Sequence, residues 1–225
     1  MPSPEYPILR DLSDPALPRK AVLFLRHAER EEIDPRIPNH DVPLTARGVA
    51  DARALGALLP TSFRLLLTHT RFQRTRRTAE ALAEGFASAG GRPVPPRQLQ
   101  SRLGSYVLSD DLYRIAYTPR FLPDWISGNI PPGLILGPSE AAKMLLRRML
   151  DPSTGDCPVP ADGELYAHVA HDWDISSLRW SLFGMRFEDA PPGFLEGIVF
   201  VPGDGLVEAR CLGRRARVPD GWLPG

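Results

Sequence analysis

Charged and titratable side chains follow directly after three short apolar runs of the sequence. The runs are 21–25, 64–68 and 164–170, and the groups that follow them are Arg26 with His27, the segment 69–74, and His171 with Asp172. The run 21–25 is apolar throughout, which is typical of a strand buried on both faces, and the other two runs are further strand candidates. If the strands are parallel neighbours, the three groups lie at one edge of the sheet, where such sheets bind their ligands.

This set of side chains suits a doubly negative tetrahedral anion. Guanidinium groups match phosphate oxygens in a bidentate manner, so Arg26, Arg71 and Arg74 are candidates for holding a phosphoryl group. A neutral imidazole among arginines is a candidate nucleophile toward phosphorus, because the positive charges lower its pKa. The leaving oxygen needs a proton, and Asp172 is the candidate donor because it follows a strand end beside His171. Taken singly, each group also fits a solvated strand end or a helix cap.

Strands and helices alternate along the chain. The first twenty residues are predicted to form an extended arm. Strands are predicted at 21–25, 64–68, 93–99 and 164–170, helices at 43–60, 71–91, 138–150 and 171–184, and an antiparallel hairpin at 197–212. Thr45 and Ser139 are start signals for their helices, while Pro60 and the pair Gly90–Gly91 are stop signals.

This order predicts an α/β fold: a three-layer α/β/α sandwich with a mostly parallel central sheet and an antiparallel strand near the carboxyl terminus. We interpret residues 1–225 as a single domain, with residues 100–160 as a lid or insert over the pocket. The aromatic side chains of that region suit either a substrate wall or the core; they are Tyr106, Tyr113, Tyr117, Phe121 and Trp125.

Composition narrows the classes of partner. The chain has 225 residues and a formal net charge of zero, which argues against a general nucleic-acid binder or a protein of anionic membranes. No apolar run approaches the ~20 residues of a membrane span, and no secretory signal is visible at the start. The two cysteines, Cys157 and Cys211, do not form a disulfide framework. We therefore expect a cytoplasmic protein with a small phosphorylated substrate, and the sequence does not indicate its oligomeric state.

Several motifs resemble the histidine phosphatase superfamily, which has the phosphoglycerate mutase-like fold. "LRHAER" resembles the Arg-His-Gly signature, "THTRFQRTRRTAEAL" resembles the segment of the second active-site arginine, and "AHVAHDWDISSLRWSLFG" resembles the His-Asp motif of the acid phosphatase branch. The last match favours that branch. The helix "PLTARGVADARALGALL" and the strands in "GFLEGIVFVPGDG" are also similar to the family's.

The resemblance implies a role for each matching residue. His27 would be the nucleophile that forms a phosphohistidine, and Asp172 the proton donor. Arg26, Arg74 and His171 would hold the phosphoryl oxygens. Arg30 matches a second arginine of the acid phosphatase form, and with Thr70 and Glu29 it completes the predicted substrate-binding residues. No metal or organic cofactor is expected.

Two positions depart from the family's pattern. Ala28 stands where the signature has Gly, and Glu32 stands where the acid phosphatase form has Pro. Glu29 instead matches the mutase form. Glu29, Asp110 and Asp111 are therefore reserve candidates for the acid.

The main hypothesis is a phosphomonoester hydrolase, and three alternatives stay open. The first is phosphomutase-type transfer, and the second is a non-catalytic protein that binds an anion in the same pocket. The third is a metal-dependent hydrolase that uses His168, His171, Asp172 and Asp174. Against the third, His168 and His171 are an odd number of residues apart and would point to opposite faces of a strand.

Overall fold

An eight-stranded mixed sheet forms the centre of the molecule. A computed structural model of the chain describes residues 6–12, 20–34, 41–99, 106–116, 118–150, 160–203 and 205–223. The strands are β1 (Lys20–Arg26), β2 (Arg64–His69), β3 (Arg92–Pro93), β4 (Arg97–Gln98), β5 (Glu164–Ala170), β6 (Gly197–Pro202), β7 (Val207–Cys211) and β8 (Arg214–Arg217). Their order across the sheet is β3-β2-β5-β1-β6-β7-β8, and β4 also pairs with β2.

The half of the sheet from β3 to β1 is parallel. β5 lies between β1 and β2, in a register that sets Arg26 opposite Ala170 and His69 opposite Val169. The inner residues of β1 and β5 are fully buried, because apolar side chains cover both faces of the sheet. The carboxyl ends of β1, β2 and β5 therefore lie side by side, as the sequence predicts.

The other half of the sheet is antiparallel. β6 pairs with β1, β7 with β6, and β8 with β7. Gly197 opens β6 in close contact with β1, since a Cβ there would lie 2.1 Å from the carbonyl oxygen of Phe24. The hairpin at 197–212 is confirmed, and β8 extends it by one strand that the sequence analysis did not predict.

Helices cover both faces of the sheet. They are α1 (Pro7–Leu12), α2 (Ala46–Leu58), α3 (Gln73–Ser88), α4 (Phe121–Ile126), α5 (Pro138–Leu150) and α6 (Asp172–Phe183), and a 3₁₀ helix spans Asp110–Arg114. Buried side chains of α1, α2 and α3 share one apolar cluster with Leu23 and Leu165 of the sheet. Those of α4, α5 and α6 share a second cluster with Phe24 and Tyr166 on the other face. The three-layer α/β/α architecture is thus confirmed.

Local signals explain the helix ends. Thr45 caps α2 by accepting from the backbone N–H of Gly48, and Gly184 ends α6 with a left-handed φ of 63°. Helix α3 stops before Gly90, whose φ is 88°. These features agree with the start and stop signals in the sequence.

Two predicted elements differ in the structure. The arm at 1–20 is not extended throughout, because Pro7–Leu12 forms α1, where Ile8 and Leu12 are buried. The strand predicted at 93–99 is two short strands, Arg92–Pro93 and Arg97–Gln98, since Pro93, Pro95 and Pro96 have no backbone N–H for a continuous ladder.

The described parts of residues 100–160 pack onto the sheet. Tyr106, Phe121 and Trp125 are buried in the cluster beneath α5 and α6, so these three side chains belong to the core. Tyr117, Cys157 and the side chain of Tyr113 lie outside the described residues. The lid interpretation of this region stays a prediction. In the part of the chain that the structure describes, no helix has the length and apolarity needed to cross a membrane.

Candidate active site

Three strand ends bring the predicted site residues together. Arg26 is the last residue of β1, and His27 follows it with its backbone N–H bonded to the carbonyl oxygen of Ala170 at 3.0 Å. Ala170 is the last residue of β5, directly before His171. The rings of His27 and His171 meet edge to face, with centroids 5.6 Å apart. The predicted convergence of the two motifs at one edge of the sheet is therefore confirmed.

His27 is held in one tautomer. Its side chain is only 3% exposed, and Nδ1 lies 2.7 Å from the carbonyl oxygen of Ala28. Because a carbonyl only accepts, Nδ1 carries the hydrogen and Nε2 keeps its lone pair. Burial lowers the pKa of His27 well below its usual value, and the charges of Arg74, Arg26 and Arg30 lower it further. The ring is thus a neutral imidazole with a nucleophilic Nε2.

His171 connects β5 to α3. Its Nδ1 lies 3.3 Å from a guanidinium nitrogen of Arg74, and its Nε2 lies 3.1 Å from Oγ1 of Thr70. Arg74 only donates, so His171 carries its hydrogen on Nε2 and donates it to Thr70. Burial and the positive charge of Arg74 lower the pKa of His171 well below its usual value. Both histidines of the site are therefore neutral at physiological pH.

Arg26 and Asp172 form an ion pair at the mouth of the site. A guanidinium nitrogen of Arg26 lies 3.0 Å from Oδ2 of Asp172, and the two side chains are 14% and 27% exposed. The other end of the guanidinium donates to the carbonyl oxygen of Pro192. Asp172 is the first residue of α6, and its Oδ1 accepts from the N–H of Trp173 at 3.0 Å. The predicted proton donor is therefore partly exposed and lies against a predicted phosphate ligand.

Ala28 takes the place of the signature glycine without backbone strain. It is fully buried, and its φ is not in the left-handed region that would require glycine. Its N–H donates to Oγ1 of Thr78 at 3.0 Å, and this hydroxyl donates to the carbonyl oxygen of Arg74 at 2.8 Å. Thr78 thus ties the loop of His27 to the helix of Arg74.

The remaining predicted substrate residues lie around this core. Thr70 bonds to His171, as described above. Oε2 of Glu29 accepts from Oγ1 of Thr45 at 2.9 Å, and Arg30 donates to the carbonyl oxygen of Glu31 at 2.7 Å. The charge of Arg30 lowers the pKa of both His27 and His171. Contacts of these three residues with a substrate stay predictions.

The reserve acids of the 3₁₀ helix are solvent-exposed. Asp110 and Asp111 open that helix, where Asp111 forms an ion pair with Arg114 at 3.6 Å and its backbone N–H donates to Oγ of Ser109. Asp172, in contrast, is in direct contact with Arg26. The geometry favours Asp172 over Asp110 and Asp111 as the acid.

Two aromatic residues that the sequence analysis did not single out lie at the site. Phe194 is 40% exposed; its ring lies 4.3 Å from the guanidinium carbon of Arg26 and 5.8 Å from the ring of His27. Phe72 lies 4.3 Å from the guanidinium carbon of Arg74 and meets the ring of His171 edge to face. Such cation–π contacts hold each guanidinium in place. Neither phenylalanine has a local sequence signal that would have identified it.

His168 is separate from the site. It lies inside β5, where its Nδ1 bonds to Oγ1 of Thr68 and its ring stacks on Tyr166. His171 instead faces Thr70 and Arg74 beyond the strand end. Among the described residues, no group of three or more His, Cys, Asp or Glu side chains could hold a metal ion. The geometry gives the alternative metal site no support.

Comparison with known proteins gives a family match over part of the chain and a shared fold. Residues 22–94 match the family model of the histidine phosphatase superfamily (branch 1). No curated protein matches the chain. The matched segment includes Arg26, His27 and Arg74 but ends before His171 and Asp172, so the acid phosphatase branch is not confirmed.

Three solved structures illustrate the shared fold. Bacillus stearothermophilus YhfR has a TM-score of 0.55 at 20% identity and covers 89% of this chain and 96% of its own. A mycobacterial glucosyl-3-phosphoglycerate phosphatase in complex with VO3 has a TM-score of 0.51 at 18% sequence identity. The match covers 92% of this chain and 100% of the phosphatase chain. A mutant Entamoeba histolytica phosphoserine phosphatase in complex with phosphoserine has a TM-score of 0.51 at 16% sequence identity. The match covers 88% of this chain and 95% of the phosphatase chain. The chain therefore has the phosphoglycerate mutase-like fold, and its residues 22–94 are similar to the histidine phosphatase superfamily (branch 1).

Proposed function

We propose that this protein is a phosphomonoester hydrolase that acts through a covalent phosphohistidine on His27. The observation that carries the proposal is the buried neutral imidazole of His27, whose Nδ1–H is bound to Ala28 while Nε2 keeps its lone pair. A nucleophile in this state needs no deprotonation before it attacks phosphorus.

The arginines and His171 hold the phosphoryl group. Arg26 and Arg74 supply guanidinium donors, and each is braced by an aromatic ring, Phe194 and Phe72 respectively. Positive charge fixed around the transferring group stabilises the negative charge on its equatorial oxygens. Burial lowers the pKa of His27 and the same positive charges lower it further, so the groups that would bind the anion also favour the neutral nucleophile.

The reaction has two steps. In the first, Nε2 of His27 bonds to phosphorus, the phosphorus–oxygen ester bond breaks, and the leaving oxygen takes a proton from Asp172. In the second, Asp172 accepts a proton from water, whose oxygen bonds to phosphorus as the phosphorus–nitrogen bond breaks. Phosphate leaves and His27 regains its lone pair. An incoming phosphoryl dianion competes with the carboxylate of Asp172 for Arg26, which frees Asp172 for its role toward the leaving oxygen.

The comparisons agree with hydrolysis as the reaction. Two of the similar structures described above are phosphatases by name, one for glucosyl-3-phosphoglycerate and one for phosphoserine. Their substrates are small phosphate monoesters, and we propose a substrate of that class here.

The decisive experiment compares two histidine variants. With an aryl phosphate, we expect His27→Ala to lower kcat/KM by at least about 10⁴-fold, the scale of removing a nucleophile. His69→Ala is the matched control, because Nδ1 of His69 is also bound to the next carbonyl, that of Thr70, at 2.7 Å. The control should still form an acid-labile phosphoenzyme with labelled substrate. Activity that survives in His27→Ala would refute the proposal.

Substitution of Asp172 should affect the rate differently for good and poor leaving groups. Asp172→Asn should slow hydrolysis of an alkyl phosphate by about 10²-fold or more, whereas an activated aryl phosphate should be affected much less, because its leaving group needs little protonation. Equal losses on both substrates would assign the proton donor to another group.

A further inference from the structure

The buried carboxylate of Asp174 connects two parts of the molecule. Asp174 is the third residue of α6 and is 1% exposed. Its Oδ1 accepts from the hydroxyl of Tyr106 at 2.7 Å, and its Oδ2 accepts from the backbone N–H of His171 at 3.1 Å. One carboxylate thus joins a residue 68 positions away to the first residue of the His-Asp motif.

Tyr106 belongs to a segment that we call the cover segment, residues 106–116 and 118–136. Its ring stacks on Trp125 with centroids 5.7 Å apart, and its carbonyl oxygen accepts from the N–H of Leu136 at 2.8 Å. Trp125 in turn donates from Nε1 to the carbonyl oxygen of Leu136. The position of the Tyr106 hydroxyl therefore depends on Trp125 in the middle of the cover segment and on Leu136 at its end.

His171 depends on this link for its orientation. Its side chain is shared between Thr70 and Arg74, whereas its backbone N–H is bound to Asp174. A shift of that N–H moves the base of the imidazole, because the backbone and the side chain pivot about the same Cα. His171 is one of the groups that would hold the phosphoryl oxygens.

We propose that Asp174 is a positioning residue that transmits the placement of the cover segment to His171 in the phosphate pocket. The proposal rests on the proposed function insofar as His171 binds phosphate. It assigns Asp174 no contact with substrate, since its two oxygens are occupied by Tyr106 and His171.

The charge of Asp174 makes this link observable. The pKa of Asp174 is raised to about 6, mainly by burial and to a smaller extent by the negative charge of Asp172, against the lowering effect of the hydrogen bonds from Tyr106 and His171. Tyr106 is the titratable group that faces it from the cover segment. Removal of the Tyr106 hydroxyl should therefore raise the pKa of Asp174 and loosen its hold on His171.

The activity test uses two tyrosine variants at pH 7.5. Tyr106→Phe removes the hydroxyl and keeps the ring on Trp125, and we expect kcat/KM to fall about 10-fold, the scale of one hydrogen bond to a charged group. Tyr6→Phe is the control, because Tyr6 also donates a hydrogen bond, at 2.9 Å to the carbonyl oxygen of Asp51 on the other face of the sheet. It should stay within about 2-fold of the wild type. Equal effects of the two variants would overturn the proposal.

A second measurement does not need catalysis. The backbone amide resonance of His171 should titrate near pH 6 in the wild type, at higher pH in Tyr106→Phe, and not through this transition in Asp174→Asn. The titration in Tyr6→Phe should coincide with that of the wild type. An unchanged titration in Tyr106→Phe would overturn the link even in an active enzyme. A shifted titration would support the link even if His27→Ala showed that the proposed phosphatase reaction is wrong.

Discussion

The positive charges around His27 have two effects on the same ring. Arg26, Arg30 and Arg74 lower the pKa of His27, and two of them are the proposed ligands of the phosphoryl group. A site that binds an anion with guanidinium groups therefore also keeps its imidazole nucleophile unprotonated. Burial is the larger cause of the low pKa, so the arginines reinforce a state that the fold already favours.

The requirement for arginine rather than lysine at position 74 can be tested. Arg74→Lys keeps the charge but loses the planar group that lies over Phe72 and reaches His171. We expect kcat/KM for an aryl phosphate to fall about 10²-fold, since an ammonium cannot make the same paired contacts. Arg76→Lys, on the exposed side of the same helix, is the matched control and should be near wild type. A change of less than about 3-fold in Arg74→Lys would count against its proposed role.

At the scale of elements, α2 and α3 pack so closely that glycine is required between them. A Cβ on Gly85 would lie 1.9 Å from the carbonyl oxygen of Arg53, and a Cβ on Gly56 would lie 2.2 Å from that of Leu82. Helix α3 carries Arg74, and α2 is capped by Thr45, whose hydroxyl donates a hydrogen bond to Glu29. The contact between the two helices therefore fixes one side of the pocket.

Gly85→Ala should separate the two helices. Alanine favours a helix over glycine in isolation, but the clash with a backbone oxygen has no flexible side chain to relieve it. We expect the free energy of unfolding to fall by about 1–3 kcal/mol in urea denaturation. In Gly137→Ala the nearest atom would be 3.6 Å away, so this control should change stability by less than about 0.5 kcal/mol. A stable Gly85→Ala protein would show that the helices separate without cost.

The sequence predicts the elements of the site because its signals are local. Apolar runs mark β1, β2 and β5, and the parallel order of these strands follows from the helices between them. The positions of His27, Arg74 and His171 at one edge follow in turn. The types of residue at the strand ends are enough to indicate phosphate chemistry.

The other parts of the site depend on contacts between distant residues. Tyr106 reaches Asp174 across 68 positions, and Phe194 reaches His27 from a loop on the antiparallel side. Neither pairing leaves a periodic or capping signal in its own segment. The sequence analysis did not predict helix α1, because a segment of six residues that starts with proline shows too little helical periodicity.

At the scale of the whole molecule, the buried neutral histidines make the folded state less stable at acidic pH. The pKa of His168 is lowered to about 3 by burial and then by Arg97, and those of His27 and His171 are also lowered. The unfolded chain binds these protons first, so stability is lost as pH falls below the unfolded pKa of about 6.5. Asp174 acts in the opposite sense, since its raised pKa favours the folded state on acidification.

His168→Gln should reduce this loss. Glutamine does not titrate and still offers an acceptor to Thr68, whose hydroxyl bonds to His168. Between pH 7.5 and pH 5, the wild type should lose about 2 kcal/mol more of its free energy of unfolding than the variant. Denaturation curves at the two pH values measure the difference. Parallel losses in the two proteins would show that His168 is not held neutral in the folded state.

The ion pair of Arg26 with Asp172 affects which small anions can bind to this guanidinium group. A chloride ion that approaches this guanidinium must displace a carboxylate 3.0 Å away, and it brings one charge in exchange for another. A phosphate monoester brings two charges and several acceptor oxygens that can replace the carboxylate on the guanidinium group. We therefore expect chloride to inhibit the proposed phosphatase activity far less than inorganic phosphate does at equal ionic strength.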